Sequence, residues 1–477
     1  MNPLLNLKSV MFDNILNELG KNNIKISEIN DSAKAHMIYG LTVRGKNSSL
    51  ICCANVFEAK KMVQNLKFFS DILVDYFPAK EILYYDIDAE SKDIEAERIS
   101  VINNIFKNND KRIIVTTIDA LMTKIPSLDN VKEKFEIELN LNSDITFEKL
   151  VADLADMGYE RCENVEGMAQ FSVKGGIIDV FPVAAQLPVR IEFFGDDIDN
   201  IRTFDVESQR SIDTLKSVCI PYAKENDISK TRIDFTIENV KKLLEDPNTD
   251  ENLIDYLKQD LEKLESGEIE GIMYKYYNLL FDRQATIFDY LKDYNIFINE
   301  PAKCLEKSNN LCYENLESIK ILKEKGYIYE PYIAKYLTYE EVFESVNNKV
   351  VLQNLNTSIN NDKSFYKEYI LDFKEQIFTK SSFETLMFDI GKHKDYLKIL
   401  VLPTKIRTEQ VTNYLTDNGV NAVIVNDIFE VDISDKNRVF VLNGILSEGY
   451  SSDNLKLYIL AEPLINTKSK IKRTRKS

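Results

Sequence analysis

Lys34 is the first residue whose neighbours suggest chemistry. It stands in Glu-Ile-Asn-Asp-Ser-Ala-Lys-Ala, residues 28–35. A phosphate-binding loop reads G-x-x-x-x-G-K-[ST], or G-x-x-G-S-G-K-T in its glycine-rich form. The glycines let backbone N–H groups turn towards phosphate, the lysine adds charge and the hydroxyl holds magnesium. Here Glu28, Asp31 and Ala33 fill the glycine positions and Ala35 the hydroxyl position. Carboxylates repel phosphate, the missing glycines deny the loop its left-handed backbone, and Ala35 cannot hold a metal. The matching acidic half is Ile-Phe-Ile-Asn-Glu, 296–300. Asn299 takes the place of the magnesium-ordering aspartate and Glu300 that of the water-orienting glutamate. An amide is neutral and a weaker magnesium ligand. Two decayed halves in one chain point to an ATPase shape without ATPase chemistry. The plain alternatives are a helix start capped by Asp31 or Ser32 and a buried strand running into a turn at Pro301.

A second constellation lies in residues 168–212. In Pro-Val-Arg-Ile-Glu-Phe-Phe (188–194), strand alternation puts Val189, Ile191 and Phe193 on one face and Arg190, Glu192 and Phe194 on the other. In Gln-Phe-Ser-Val-Lys (170–174), Phe171 and Val173 share a face and Gln170, Ser172 and Lys174 lie opposite. A sheet with one buried face then displays Lys174, Arg190 and Phe194. An aromatic beside basic groups is a frequent composition of protein-binding hot spots. The plainer arrangement tucks Phe194 under the turn at Gly195 and pairs Arg190 with Glu192 or Asp196.

Other chemistries have little material. The six cysteines form no C-x-x-C pair, and only His36 and His393 are present. A zinc centre or a histidine-based triad is not expected, and no catalytic residue or metal ligand is assigned. The chain has 477 residues and 44% hydrophobic content, enough for roughly three domains. Its 60 basic against 77 acidic residues leave a net charge of −17, which argues against a general nucleic-acid coat. The last ten residues, Lys-Ser-Lys-Ile-Lys-Arg-Thr-Arg-Lys-Ser, are by contrast wholly basic in their charges and read as a solvated linker. No stretch approaches the roughly 18 apolar residues of a membrane span and no signal peptide is read, so a cytoplasmic setting is expected.

The elements that must position these residues follow the apolar pattern. Strand-like runs at 49–57, 81–87 and 112–118 alternate with helical stretches near 33–43, after 57 and at 93–107, implying a parallel sheet with crossovers. From about 135 the texture changes to a helix near 146–157 and short strands, the signature of a small α+β domain. Residues 223–346 are mostly helical and charged, interrupted by Tyr-Asn-Ile-Phe-Ile-Asn-Glu-Pro. A further α/β block starts near Lys-Val-Val-Leu at 349.

Residues 174–182 (KGGIIDVFP), 187–199 (LPVRIEFFGDDID) and 201–211 (IRTFDVESQRS) strongly resemble the UvrB-homology module of the bacterial transcription-repair coupling factors, Mfd. The degenerate loop at 28–35, the strand at 296–301 and Leu-Ser-Glu-Gly-Tyr at 446–450 fall in the family's order, so the resemblance covers nearly the whole chain. It implies a multidomain α/β fold. Residues 1–134 would be the first part of a degenerate RecA-like, UvrB-like parallel-sheet domain, and 135–222 an inserted small α+β domain that binds UvrA. Residues 223–346 would be the largely helical second part, 347–466 a separate third α/β domain, and 467–477 a basic linker. The family's UvrA-contacting positions, two basic residues and a phenylalanine, map onto Lys174, Arg190 and Phe194. Lys174 departs from the arginine often found there and loses its planar fork.

The resemblance further implies a non-catalytic module that mimics UvrB and recruits UvrA to stalled RNA polymerase for nucleotide excision repair. The family's full-length members are ATP-dependent DNA translocases. ATP, magnesium, RNA polymerase and DNA are therefore expected only with domains whose motifs are missing here, and a C-terminal domain is expected to dock on this one. The rival expectation is an ATP-dependent UvrB-like DNA helicase or damage-verification protein.

Overall fold

The computed structural model describes residues 2–6, 10–85, 92–107, 110–126, 136–183, 185–226, 228–356, 366–376 and 383–462. The basic tail lies outside them. Strands β1 (Asn23–Ser27), β2 (Ser48–Cys53), β3 (Leu73–Phe77) and β4 (Arg112–Thr117) alternate with helices α1 (Val10–Glu18), α2 (Asp31–Arg44), α3 (Val56–Phe69) and α4 (Lys92–Lys107). β2 and β4 are buried almost throughout. Both show continuous apolar centres, Leu50–Cys53 and Ile113–Val115, instead of strict alternation, because strands covered on both faces have no polar side to show. The cap of α2 is Asn30, whose side chain accepts from the Ala33 amide; Asp31 and Ser32, the expected caps, are already helical. The described part of the expected strand at 81–87 is not a strand. Ile82 and Tyr84 instead plug the core of the helical block, and the Tyr84 hydroxyl donates to the Ala334 carbonyl at 2.7 Å.

After the short β5 (Ile125–Pro126) comes the inserted module: β6 (Glu136–Asn140), β7 (Glu160–Arg161), β8 (Gln170–Lys174), β9 (Ile177–Phe181), β10 (Val189–Phe194), β11 (Asp197–Phe204), β12 (Ser211–Thr214) and β13 (Ser217–Pro221). Its main sheet runs β12-β11-β10-β9-β8-β7, and β6 pairs with β13. The turns explain the double-glycine and Phe-Gly-Asp signatures. Gly175 (φ 60°) and Gly195 (φ 65°) each open a two-residue hairpin loop, where a left-handed first position favours glycine. A Cβ on Gly176 would stand 3.0 Å from the Phe193 carbonyl oxygen. Phe171, Ile178, Val180, Val189, Ile191 and Ile201 turn inward onto Leu150 and Leu154 of the helix Phe147–Asp156.

Helix α4 serves two cores. Val101 and Ile102 face the first sheet, while Ala96 and Ile99 join the core of the inserted module. Between them Arg98 reaches the chain leaving the module. Its Nη2 and Nε lie 2.6 and 2.9 Å from Glu225 Oε1, its Nη1 donates to the Pro78 carbonyl at 2.7 Å, and both charged side chains are almost wholly buried.

A helical block follows, with β14 (Gln284–Ala285) pairing back to β5. Then β15 (Tyr294–Asn299), β16 (Val350–Leu352) and β17 (Tyr366–Ile370) return to the first sheet. Its order among the described residues is β17-β1-β16-β15-β2-β4-β3. The run at 349–356 was expected to open the last block at about 347. Instead β16 sits between β1 and β15, near the middle of the first sheet, and that sheet is complete only at Ile370.

The last sheet comprises β18 (Phe373–Gln376), β19 (Leu397–Leu402), β20 (Ala422–Val425), β21 (Val439–Asn443), β22 (Gly449–Ser452) and β23 (Leu457–Ala461), in the order β18-β22-β23-β19-β21-β20. One face packs on its own helices through Leu386, Val411 and Leu415. The other presents Ile399, Val401, Phe440, Leu442 and Ile459 to Met37, Leu41, Met62, Leu66 and Phe69 of α2 and α3 in one continuous core. This further α/β domain thus has its own sheet but shares a hydrophobic core with the first. Among the described residues no helix is long and apolar enough to cross a membrane.

Candidate protein-docking face and a closed phosphate loop

Cross-strand register places the predicted docking residues. Ser172, Asp179, Arg190 and Arg202 form one row across β8 to β11; Lys174, Ile177, Glu192 and Asn200 form the next. Residues opposite one another share a face, so Lys174 and Arg190 lie on the outer face, as alternation predicted. Phe194 ends the same strand beyond a bulge at Glu192/Phe193 and is 84% exposed. It does not tuck under Gly195.

Arg190 is differently placed from the reading that left it free. Its Nε donates to Asp179 Oδ1 at 2.7 Å and its Nη2 to Asp179 Oδ2 at 2.9 Å, and its guanidinium lies 4.7 Å over the Phe204 ring. The partner is neither Glu192 nor Asp196, and Glu192 holds Arg202 at 3.1 Å. The buried Asp179 thus takes Arg190's fork for the module's own stability, while Phe194 and the exposed Lys174, which donates to Asn164, face outward. Sequence reasoning missed Asp179. A carboxylate inside the apolar run Ile-Ile-Asp-Val-Phe, which must find a partner if buried, was the available signal.

The degenerate phosphate loop is assembled in space and closed. Glu28 follows β1, and Asn299 and Glu300 end β15, at the carboxyl edge of the parallel sheet. Lys34, with no exposed surface, donates to Asn299 Oδ1 and Glu300 Oε1, both at 2.7 Å, and to Asp31 Oδ1 at 3.3 Å. Ala33 and Ala35 are packed in the core. Glu28 corrects one expectation: it adopts φ 60° without being glycine, a conformation that costs an ordinary residue about 1–2 kcal/mol. Glu300 does the same at φ 52°, and its Oε1 also accepts from the Asn354 amide at 2.7 Å.

Sequence reasoning also missed Lys61, whose Nζ bridges Asp31 Oδ2 at 2.8 Å and Glu448 Oε1 at 2.6 Å. Burial alone would raise the Asp31 carboxyl's pKa, but Lys34 and Lys61 hold it below the usual carboxylate range. Carboxylates of the chain therefore already occupy the lysines that a phosphate would need. Among the described residues no group of three or more His, Cys, Asp or Glu side chains is arranged to hold a metal ion.

Beside this site His36 is buried, stacked on Phe69 at 5.1 Å between ring centroids, with Nδ1 2.7 Å from the Tyr450 hydroxyl. Burial pushes its pKa down to about 4. The unfolded chain takes up this proton near pH 6.5 and the folded chain only near 4. The His36 contribution is therefore full above pH 6.5 and shrinks as pH falls from 6.5 towards 4. Urea unfolding at pH 7 and pH 5 should show a stability loss about 2 kcal/mol larger in the natural chain than in His36→Gln.

A family profile described as the UvrB interaction domain matches residues 137–226. The Transcription-repair-coupling factor of Bacillus subtilis (strain 168) is 26% identical over 476 residues, covering 94% of this chain and 39% of that protein. That of Staphylococcus haemolyticus is 26% identical over 487 residues, covering 97% and 40%, and that of Staphylococcus aureus (strain USA300) 25% identical over 479, covering 98% and 40%. The chain spans about two-fifths of the length of these curated relatives. A solved XPD helicase chain aligns at 9% identity over 93% of this chain and 80% of its own, with a TM-score of 0.27 that carries no argument. Along nearly all of its length the chain is similar to the N-terminal region of the transcription-repair-coupling factors, and its inserted module to the UvrB interaction domain.

Proposed function

We propose that this chain is a non-catalytic docking module that mimics UvrB and recruits UvrA in transcription-coupled nucleotide excision repair. The observation that carries the reading is Phe194. It is a large aromatic, 84% exposed, on the outer face of the module that matches the UvrB interaction domain. A lone exposed phenylalanine does nothing for the fold and is a suitable anchor for an apolar pocket. Lys174 adds a reachable cation, and Arg190 fixes the sheet between them through Asp179. The domains divide the work as 136–221 for docking and the two joined sheets for support.

The larger context is part of the same proposal. RNA polymerase, DNA and ATP would be engaged by the parts of the longer relatives that this chain does not match, in a cytoplasmic setting, with a C-terminal domain competing for the UvrA face. The buried Lys34 and the carboxylates around it support the absence of nucleotide chemistry in residues 1–477. DNA-stimulated ATP turnover by this chain would favour the rival, a UvrB-like helicase.

Titration of UvrA into the folded chain tests the docking face. Phe194→Ala should weaken binding at least tenfold without moving the thermal midpoint. Arg190→Ala should lower the midpoint, because it strands buried Asp179, at a cost of roughly 3 kcal/mol. Unchanged UvrA affinity in Phe194→Ala would remove this face from the reading.

A further inference from the structure

The loop between β21 and β22, with the start of β22, lies across the first turns of α2 and the middle of α3, over the closed phosphate loop. Residues 447–450, the end of this loop and the start of β22, are each held from those helices or the cap of α2. Ser447 Oγ lies 3.1 Å from Ser32 Oγ and accepts from Asn65 Nδ2 at 2.8 Å, while its amide donates to Asn65 Oδ1 at 2.9 Å. The Glu448 amide donates to Ser32 Oγ at 3.1 Å and its carboxylate takes Lys61. The Gly449 carbonyl accepts from Asn30 Nδ2 at 3.0 Å, and Tyr450 meets His36.

We infer that the former phosphate site has become a permanent socket for the last sheet, with Glu448 as its anion, and that this socket clamps the first and last sheets into one body. Asn65 is the decisive residue. It has no exposed surface, and both ends of its amide are spent on Ser447. A site meant for a removable ligand keeps its polar groups within reach of water when empty. Withdrawing this loop would instead leave a buried amide unpaired, which is costly. Tyr450 and His36, both buried, are bound to each other across the same boundary in the same way. The charges agree, since Lys34 and Lys61 are matched inside the chain by Asp31, Glu300 and Glu448. An incoming polyphosphate would have to displace three carboxylates.

Hydrogen exchange on the full chain tests the socket, comparing wild type with Ser447→Ala/Glu448→Ala. Protection of amides in 446–452, in the first turns of α2 and in the part of α3 around Lys61 and Asn65 should fall at least tenfold, with β8–β10 amides unchanged. A smaller fall, or a fall spread equally over β8–β10, overturns the inference. Should the double variant fail to fold, Glu448→Gln preserves the shape and should lose protection about threefold at the same amides and nowhere in β8–β10; no loss there overturns it equally. Calorimetric titration of the double variant with ATP and magnesium should give no binding heat. Saturable heat would show a working nucleotide site under a lid, and the socket reading would fall.

Discussion

Arg98→Leu should destabilise the chain by about 3–5 kcal/mol in urea unfolding, because it leaves the buried Glu225 without its counter-charge. Arg98 brings three donors to two partners, Glu225 and the Pro78 carbonyl, and its guanidinium lies 4.2 Å over the Phe77 ring. Burial pushes the Glu225 carboxyl up, but the charge and hydrogen bonds of Arg98 pull it further down, so that it sits below the usual carboxylate range. That stabilisation is present above pH 4.5 and is lost as pH falls through the depressed value. The double variant Arg98→Leu/Glu225→Leu should recover part of the loss, since removing both charges also removes both desolvation penalties. A double variant no more stable than the single one would show that the ring contact and the packing of Arg98 matter more than its charge.

The second large effect is expected at Lys34. Lys34→Met should cost on the order of 3–5 kcal/mol while leaving any interaction with ATP unchanged at nil. In a working phosphate loop the same substitution abolishes nucleotide binding at modest expense to the fold. Here the ammonium is fully buried and neutralises Asp31 and Glu300 while satisfying the Asn299 amide oxygen. Its removal takes from Asn299 Oδ1 its lysine donor and from Glu300 its cation, leaving Glu300 the Asn354 amide and Asp31 the Lys61 ammonium. Thermal unfolding beside nucleotide titration separates the cases, and a stable Lys34→Met variant would mean that Asp31 and Glu300 are solvated well enough to stand alone.

What could be read from the residues depended on whether the signal was local. β2, β4, β19, β21 and β23 each carry a run of at least four largely apolar residues and announced themselves. β1, Asn-Ile-Lys-Ile-Ser, did not, because its buried Lys25 is answered by Glu368 on β17, far away in sequence. β16 offers Val-Val-Leu, and three apolar residues do not say which of two sheets they join. The outer face of the docking module was legible by alternation because period two holds within a strand. The claim of Asp179 on Arg190 was not, because the register between β9 and β10 is set by the turn and by packing. Likewise the five charged groups of the closed loop lay in pieces: Lys34, Asp31 and Glu300 were visible, while Lys61 and Glu448 meet only when the sheets do.

The order of strands in the first sheet also bears on how the chain is made. Among the described residues β1 pairs with β16 and β17 and with no other strand, so Ile24 meets its partner Val350 only after the inserted module and the helical block have been made. At roughly 5–20 residues per second, the growing chain carries β1 unpaired for tens of seconds. The docking module, whose strands all lie between Glu136 and Pro221, can meanwhile close around the α4 already made before it. A nascent chain can therefore carry the finished outer face of that module while Ile24 and Ile26 still await their sheet. Unpaired strand edges and exposed apolar faces are what make growing chains prone to association, and in this chain the order of β1, β16 and β17 prolongs that exposure.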